Sequence, residues 1–146
     1  MSRIGYDLAR ARLMSAEEAA QKIQDGDRVG FSGFTGAGYP KAVPGALAEQ
    51  MRAAHEAGKP FTIASYTGAS TAPEHDGALA AVDGILMRMP YQSDPVMRGK
   101  INAGVSEYSD VHLSHSGPQV RHGFWGNLDA AVIEVCAREL RALLPP

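Results

Sequence analysis

Apolar positions along the chain alternate between helical and extended spacing. Ala16, Ala19, Ala20 and Ile23 recur at helical spacing behind Ser15, and Glu18 stands three residues after that serine, as in a capping box. Gly26 sits where such a helix stops, so residues 15–24 are expected to be helical. Arg28 to Ser32 follows as a short strand rich in Val and Phe, and Gly33 to Tyr39 as a loop. Val43, Leu47 and Met51 mark one face of a second helix that ends near Gly58. Phe61 to Ser65 reads as the next strand, Thr67 to Asp76 as a polar loop containing glycine, and Ile85 to Arg88 as a third strand. Asp94-Pro95 marks a helix start, because proline at the first helical position loses no hydrogen bond. Val111 to Leu113 is a weak strand, and Ala130 to Ala137, with Val132, Ile133 and Val135, a strongly buried one. Strands alternating with helices predict an α/β fold, an open and largely parallel sheet with flanking helices. Residues 1–14 form an expected amphipathic lead-in helix, residues 15–137 one domain and residues 138–146 an atypical tail.

Composition narrows the function classes. Of 146 residues, 45% are apolar and 21% charged, ordinary for a globular protein. The net charge of −2 gives no electrostatic case for nucleic acid or an anionic membrane. The single cysteine, Cys136, forms no disulfide within the chain, which fits a cytoplasmic protein. Nothing around Cys136 suggests activation, so it reads as a small buried residue. No apolar run approaches the ~18 residues of a membrane span.

In open parallel sheets ligands sit at the carboxyl ends of strands, and here glycine-rich loops follow strands. Ser32-Gly33-Phe34-Thr35-Gly36-Ala37-Gly38-Tyr39-Pro40-Lys41 has Gly-x-x-Gly-x-Gly spacing, neither the dinucleotide fingerprint nor a P-loop. Its glycines serve either a tight strand-to-helix turn or a close approach of backbone N–H groups to a ligand. Tyr66-Thr67-Gly68-Ala69-Ser70-Thr71-Ala72-Pro73 is rich in hydroxyls that suit a carboxylate or acyl oxygen, or equally a turn. Arg88, at a strand end, suits a substrate carboxylate or a ligand's phosphate; the alternative is a surface arginine. Glu134, set among apolar strand neighbours, is either a perturbed carboxylate or a residue on the less buried face. His112, His115 and His122 lack the spacing of a zinc site, because Gly117 and Pro118 are expected to break any helix joining them. No metal is expected, and Trp125 reads as a packing anchor.

Taken in order, these segments resemble the acetyl-CoA hydrolase/transferase family. The likeness begins with Asp25-Gly26-Asp27-Arg28-Val29-Gly30-Phe31-Ser32-Gly33 and runs on through Lys41. It continues in Thr67-Gly68-Ala69-Ser70, Arg88-Met89-Pro90-Tyr91-Gln92, Lys100-Ile101-Asn102-Ala103-Gly104, Tyr108-Ser109-Asp110-Val111-His112-Leu113-Ser114 and Leu128-Asp129-Ala130-Ala131-Val132-Ile133-Glu134-Val135. It covers about residues 13 to 136. The resemblance implies the N-terminal portion of a class I CoA-transferase fold, acting on acyl-CoA and small carboxylates such as acetate and succinate. CoA would be a substrate, and no further cofactor is implied. It implies a glutamate nucleophile that forms an acyl–glutamyl anhydride and then a glutamyl–CoA thioester, which is covalent catalysis by a carboxylate. That glutamate belongs to a motif resembling Ser-Glu-Asn-Gly in the family's second half, and no Ser-Glu-Asn-Gly occurs here. Glu134 matches a structural strand instead, so no catalytic residue is assigned.

By the same likeness Gly36 and Gly38 become backbone contacts near the acyl group, Ser70 an acyl or carboxylate contact, and Arg88 and Gln92 further candidates for substrate binding. Activity is therefore expected only with a second-half polypeptide, and an apolar docking face implies self-association of the lone chain. The alternatives are a non-catalytic CoA- or carboxylate-binding module and an unrelated doubly wound nucleotide binder. The glycine spacing speaks against the latter.

Overall fold

The structure is a computed structural model that describes residues 12–69 and 72–135. The expected lead-in helix, Ser70, Cys136 and the tail lie outside the described residues, except that Arg12 to Met14 are described and not helical.

The capping box forms as its spacing requires. The Ser15 hydroxyl accepts from Glu18 N (3.1 Å), and Ser15 N donates to the Glu18 carboxylate (2.8 Å). Helix α1, Ala16–Ala20, is shorter than expected, and the chain turns into β1, Arg28–Phe31, through Gly26 at φ +85°. Helix α2, Ala42–Glu56, places Leu47 and Met51 fully inside, with Val43 packed on the same core. It closes at Gly58, whose φ of +70° suits glycine. Strand β2 is Ile63–Tyr66. The segment expected as a polar loop up to Asp76 instead coils into a π-helical turn, Pro73–Gly77, that buries His75 and Asp76, and runs into helix α3, Ala78–Ala81. Strand β3 is Ile85–Met89. Helix α4, Pro95–Asn102, starts at Asp94, whose carboxylate accepts from Val96 N (2.9 Å) and Met97 N (3.0 Å).

Three expectations fail beyond this point. The strand lies at β4, Glu107–Tyr108, whereas Val111 to Leu113 leads into helix α5, Leu113–Arg121. The His112 side chain caps that helix by accepting from Ser114 N, and Pro118 sits inside the helix without ending it. Strand β5, Ala130–Val132, is short and only partly covered, not strongly buried: among the described residues it is an edge strand, paired with β1 alone.

The five strands are all parallel in the order β4-β3-β2-β1-β5. Alternation along β1 sends Val29 and Phe31 to one face and Gly30 to the other. Val29, Phe31, Ile63 and Ile85 meet Leu47, Met51, Leu79 and Met97 from the helices in a single core. Each such fully buried side chain contributes about 1.5–3 kcal/mol. The opposite face of the sheet carries α5 and the connection to β5.

Candidate functional site

The two glycine loops emerge side by side because β1 and β2 are parallel neighbours, and they are joined directly. Thr35 N donates to the Ala69 carbonyl (2.9 Å). Phe34 and Ala37 exchange backbone bonds at 2.9 and 3.0 Å around Thr35 (φ +48°) and Gly36 (φ +81°), a two-residue turn with both central residues left-handed. Gly36 is therefore required by conformation. A Cβ there, or at Gly38 (φ +64°), would meet nothing. The position set by close approach is Gly68, where a Cβ would overlap the Gly33 carbonyl. Local spacing gave no sign of that contact, because its two partners belong to different loops.

Ser32 ties the first loop to the end of β5. Its hydroxyl donates to the Gly38 carbonyl (2.6 Å) and accepts from Glu134 N (2.8 Å). Glu134 lies two residues past β5, half exposed, with its carboxylate 2.6 Å from Lys41 Nζ. It is thus neither mid-strand nor walled by apolar groups. The same ammonium donates to the Tyr39 carbonyl (3.2 Å) and stands 4.4 Å over the Tyr39 ring. The Glu134 bond holds the Lys41 pKa above its ordinary value. The Tyr39 hydroxyl donates to Glu74 (3.1 Å); burial and that bond raise the phenol pKa.

Arg88 has no exposed surface, so it is neither the surface arginine nor a ligand-facing one. Its Nε and Nη2 donate to the two carboxylate oxygens of Asp76 at 2.8 and 3.0 Å, and Nη1 donates to the Met89 carbonyl at 2.5 Å and, more distantly, to that of Pro90. Burial opposes ionisation of Asp76, but hydrogen bonds from His75 and Arg88 and the Arg88 charge win, holding its pKa far below the usual carboxylate range. The pair braces the π-helical turn, and with it the second loop, against β3. Gln92 is buried just after the cis Met89–Pro90 bond, and its side-chain carbonyl has no hydrogen-bond partner among the described residues. Trp125 donates from Nε1 to Gln119 (2.9 Å), and its carbonyl accepts from the Tyr66 hydroxyl (3.1 Å), which anchors the α5–β5 connection to the sheet.

A cleft of about 360 Å³ opens at the carboxyl ends of β1, β2, β3 and β5. Phe31, Ser32, Thr67, Gly68 and Met89 line its strand side; Ser116, Gly117 and Val120 of α5 line another wall, and Leu128 and Ile133 a third. None of these described residues is acidic, basic, His or Cys; the polar side chains are the hydroxyls of Ser32, Tyr66, Thr67 and Ser116, and the lining can hold an apolar group of a few carbons. Gly36, Gly38, Arg88 and Gln92 are not in the lining, and the three histidines lie elsewhere. Among the described residues no three His, Cys, Asp or Glu side chains converge as metal ligands. No helix among them is long and apolar enough to cross a membrane.

Comparison with known proteins bears on this geometry. The sequence profile of the acetyl-CoA hydrolase/transferase N-terminal domain matches residues 6–140. A propanoyl-CoA:succinate CoA transferase from Escherichia coli is 47% identical over 124 residues, covering 85% of this chain and 25% of the relative. A succinyl-CoA:acetate CoA-transferase from Clostridium kluyveri is 40% identical, covering 86% and 23%. An acetyl-CoA hydrolase from Schizosaccharomyces pombe is 33% identical, covering 89% and 28%. The chain thus spans about a quarter of the length of these relatives. The crystal structure of RipA from Yersinia pestis superposes with a TM-score of 0.61 at 21% identity, over 88% of this chain and 30% of that one, and shows the same fold. The chain belongs to the acetyl-CoA hydrolase/transferase family, matching its N-terminal domain.

Proposed function

We propose that this chain is the N-terminal part of a cytoplasmic CoA-transferase or acyl-CoA hydrolase that moves CoA between small carboxylic acids such as acetate and succinate, and that a second polypeptide contributes the nucleophilic glutamate. The observation that supports it is the cleft at the carboxyl edge, lined by Ser32, Thr67 and Gly68 at the starts of the two glycine loops within the family match and sized for a short acyl chain. In this reading the cleft takes the acyl group; Gly36 and Gly38, outside its lining, and Ser70, outside the described residues, are substrate contacts by the family likeness alone. The partner's carboxylate oxygen attacks the thioester carbonyl, the C–S bond breaks and CoA thiolate leaves, giving a mixed anhydride. The thiolate then attacks the glutamyl carbonyl and releases the first acid as its carboxylate. A second carboxylate reverses both steps, or water hydrolyses the glutamyl thioester. The chain's own residues position the acyl group and exclude water; the described cleft lining holds no carboxylate, imidazole, amine or thiol.

The test is exchange of label between propanoyl-CoA and succinate by the chain together with the rest of the E. coli relative. Exchange by the mixture and none by either part alone is expected; an inert but folded mixture overturns the reading. A non-catalytic CoA- or carboxylate-binding module is the second reading, since no described residue of the cleft lining is acidic, basic, His or Cys. Calorimetric binding of acetyl-CoA by the lone chain, without exchange in any mixture, would establish that alternative.

A further inference from the structure

Helix α5 forms one wall of the cleft, yet it shares little with the core. Ser116 is its one buried residue, and Leu113 at its start is 39% exposed. A helix this short, with a proline inside, is marginal unless packing or capping supports it. Its far end is tied to the sheet. Phe124 N donates to the Gln119 carbonyl (2.9 Å), the Trp125 indole donates to the Gln119 side chain (2.9 Å), and the Trp125 carbonyl accepts from Tyr66 of β2. The near end has the His112 cap.

That cap differs in kind from the usual ones. Ser, Thr, Asp and Asn accept with an oxygen that keeps its lone pairs near neutral pH. His112 accepts with Nδ1, from Ser114 N at 3.3 Å, and the same nitrogen lies 2.7 Å from the Ser114 hydroxyl. Only the neutral tautomer with its proton on Nε2 has that lone pair. A second proton removes the acceptor. The hydroxyl contact survives, because the hydroxyl then accepts, but the Ser114 amide loses its partner. The new charge also sits at the positive end of the helix dipole. Nothing nearby offsets it: the first turn of α5 holds no acidic residue, and His112 joins no ion pair among the described residues. Its titratable neighbours are His115, with ring centres 5.6 Å apart, and Asp110 earlier in the chain. Imidazoles gain their second proton between about pH 5 and 8. The neutral form supports the helix, so the support is present on the alkaline side and is lost as pH falls through that range.

The helix also has a place to give way. Pro118 has no N–H, so the Ser114 carbonyl, four residues back, receives no helical bond from it. The turn over residues 113–117 is joined to the rest of α5 by that much less. Ser116 and Gly117 of this turn line the cleft, as does Val120 beyond the proline.

We propose that His112 is a positioning residue for the cleft: its neutral imidazole holds the first turn of α5 in the wall, and protonation releases that turn at Gly117–Pro118 while Val120 stays anchored through Gln119 and Trp125. The release stands on the capping geometry. Its bearing on acyl transfer rests on the function proposed above.

The test is hydrogen exchange of the chain at about pH 8 and about pH 5.5, corrected for the intrinsic pH dependence of amide exchange. The Ser114 and Gly117 amides should exchange about tenfold faster in acid, the size of a lost cap, while those of Met51 and Ile63 in the core hold. His112→Ala should show the fast exchange already at the higher pH. His112→Asn, which caps without titrating, should restore slow exchange and keep it at both pH values. His115→Gln should retain the wild-type response. Equal α5 protection at the two pH values overturns the proposal, as does a pH response that persists in His112→Asn or vanishes in His115→Gln. Protection lost at Met51 and Ile63 along with α5 overturns it too. Label exchange by the mixture with the rest of the E. coli relative is scored separately, and should fall with pH more steeply in wild type than in His112→Asn. A pH-responsive α5 in an inert mixture defeats the functional reading and upholds the cap; an active mixture whose α5 ignores pH does the reverse.

Discussion

Gly68→Ala tests whether the two loops form one unit. A Cβ built at Gly68 lies 3.2 Å from the Gly33 carbonyl carbon and 3.7 Å from Phe34 Cα. With a C=O bond of about 1.23 Å directed toward it, the Gly33 oxygen falls well inside van der Waals contact. Every clashing atom is backbone, so no rotamer change relieves the overlap, and the loops must separate by about 1 Å. Overpacking of this kind costs about 1–3 kcal/mol. Separation also breaks the Thr35 N to Ala69 O bond, worth about 1 kcal/mol net. The total of about 2–4 kcal/mol corresponds to a fall in Tm of roughly 5–15 °C for a domain of this size. Thermal melts followed by circular dichroism measure it, with exchange of the Thr35 amide as a local readout. Gly45→Ala is the control: Gly45 lies inside α2 with open space at its Cβ position, and alanine there should stabilise by about 0.5–1 kcal/mol. A Gly68→Ala Tm within about 2 °C of wild type, with unchanged Thr35 exchange, would refute the coupling of the loops.

Asp76→Asn should destabilise by about 3–5 kcal/mol in urea titrations, because it leaves the Arg88 guanidinium buried without its counter-charge. The double change Asp76→Leu with Arg88→Met should cost less than Asp76→Asn alone. The Asp76 pKa is lowered on folding, so its contribution is complete above the ordinary carboxylate value of 3.8 and is lost as pH falls below it. Melts on descending pH should therefore steepen in wild type below that value, and less so in the double variant. Glu74→Gln should move the Tyr39 phenol pKa, now raised by burial and by the Glu74 bond, back toward its ordinary 10.0, read by ultraviolet titration of the tyrosines.

The parts of the fold legible in the sequence are those written locally. The Ser15/Glu18 box, the Val43–Leu47–Met51 stripe and Asp94-Pro95 each act within a turn or two of helix, and each forms as expected. Helix α5 was hidden because its cap is His112, outside the usual Ser, Thr, Asp and Asn set, and because Pro118 within it looks like a breaker. The run from Ala130 has the apolar character of a buried strand, yet burial depends on neighbours, and β5 has one on a single side only. At the site, the strand–loop–helix order points to the carboxyl edge, where the cleft lies. It did not reveal that Arg88 bonds Asp76 twelve residues earlier, nor that Gly68 rests on Gly33, since such pairings exist only once the sheet has assembled.

The position of β5 also shapes how the chain folds. Strands β1 to β4 pair with successive neighbours, whereas β5 returns across 102 residues to close on Ser32. Closing a loop of that length costs entropy before any contact offsets it, so β5 should dock after the rest of the sheet. Substitutions along it would then speed unfolding while leaving refolding nearly unchanged. During synthesis, the outer edge of β1 stays open until β5 has emerged, so its exposure to aggregation lasts across the 102 residues that separate Ser32 from Glu134.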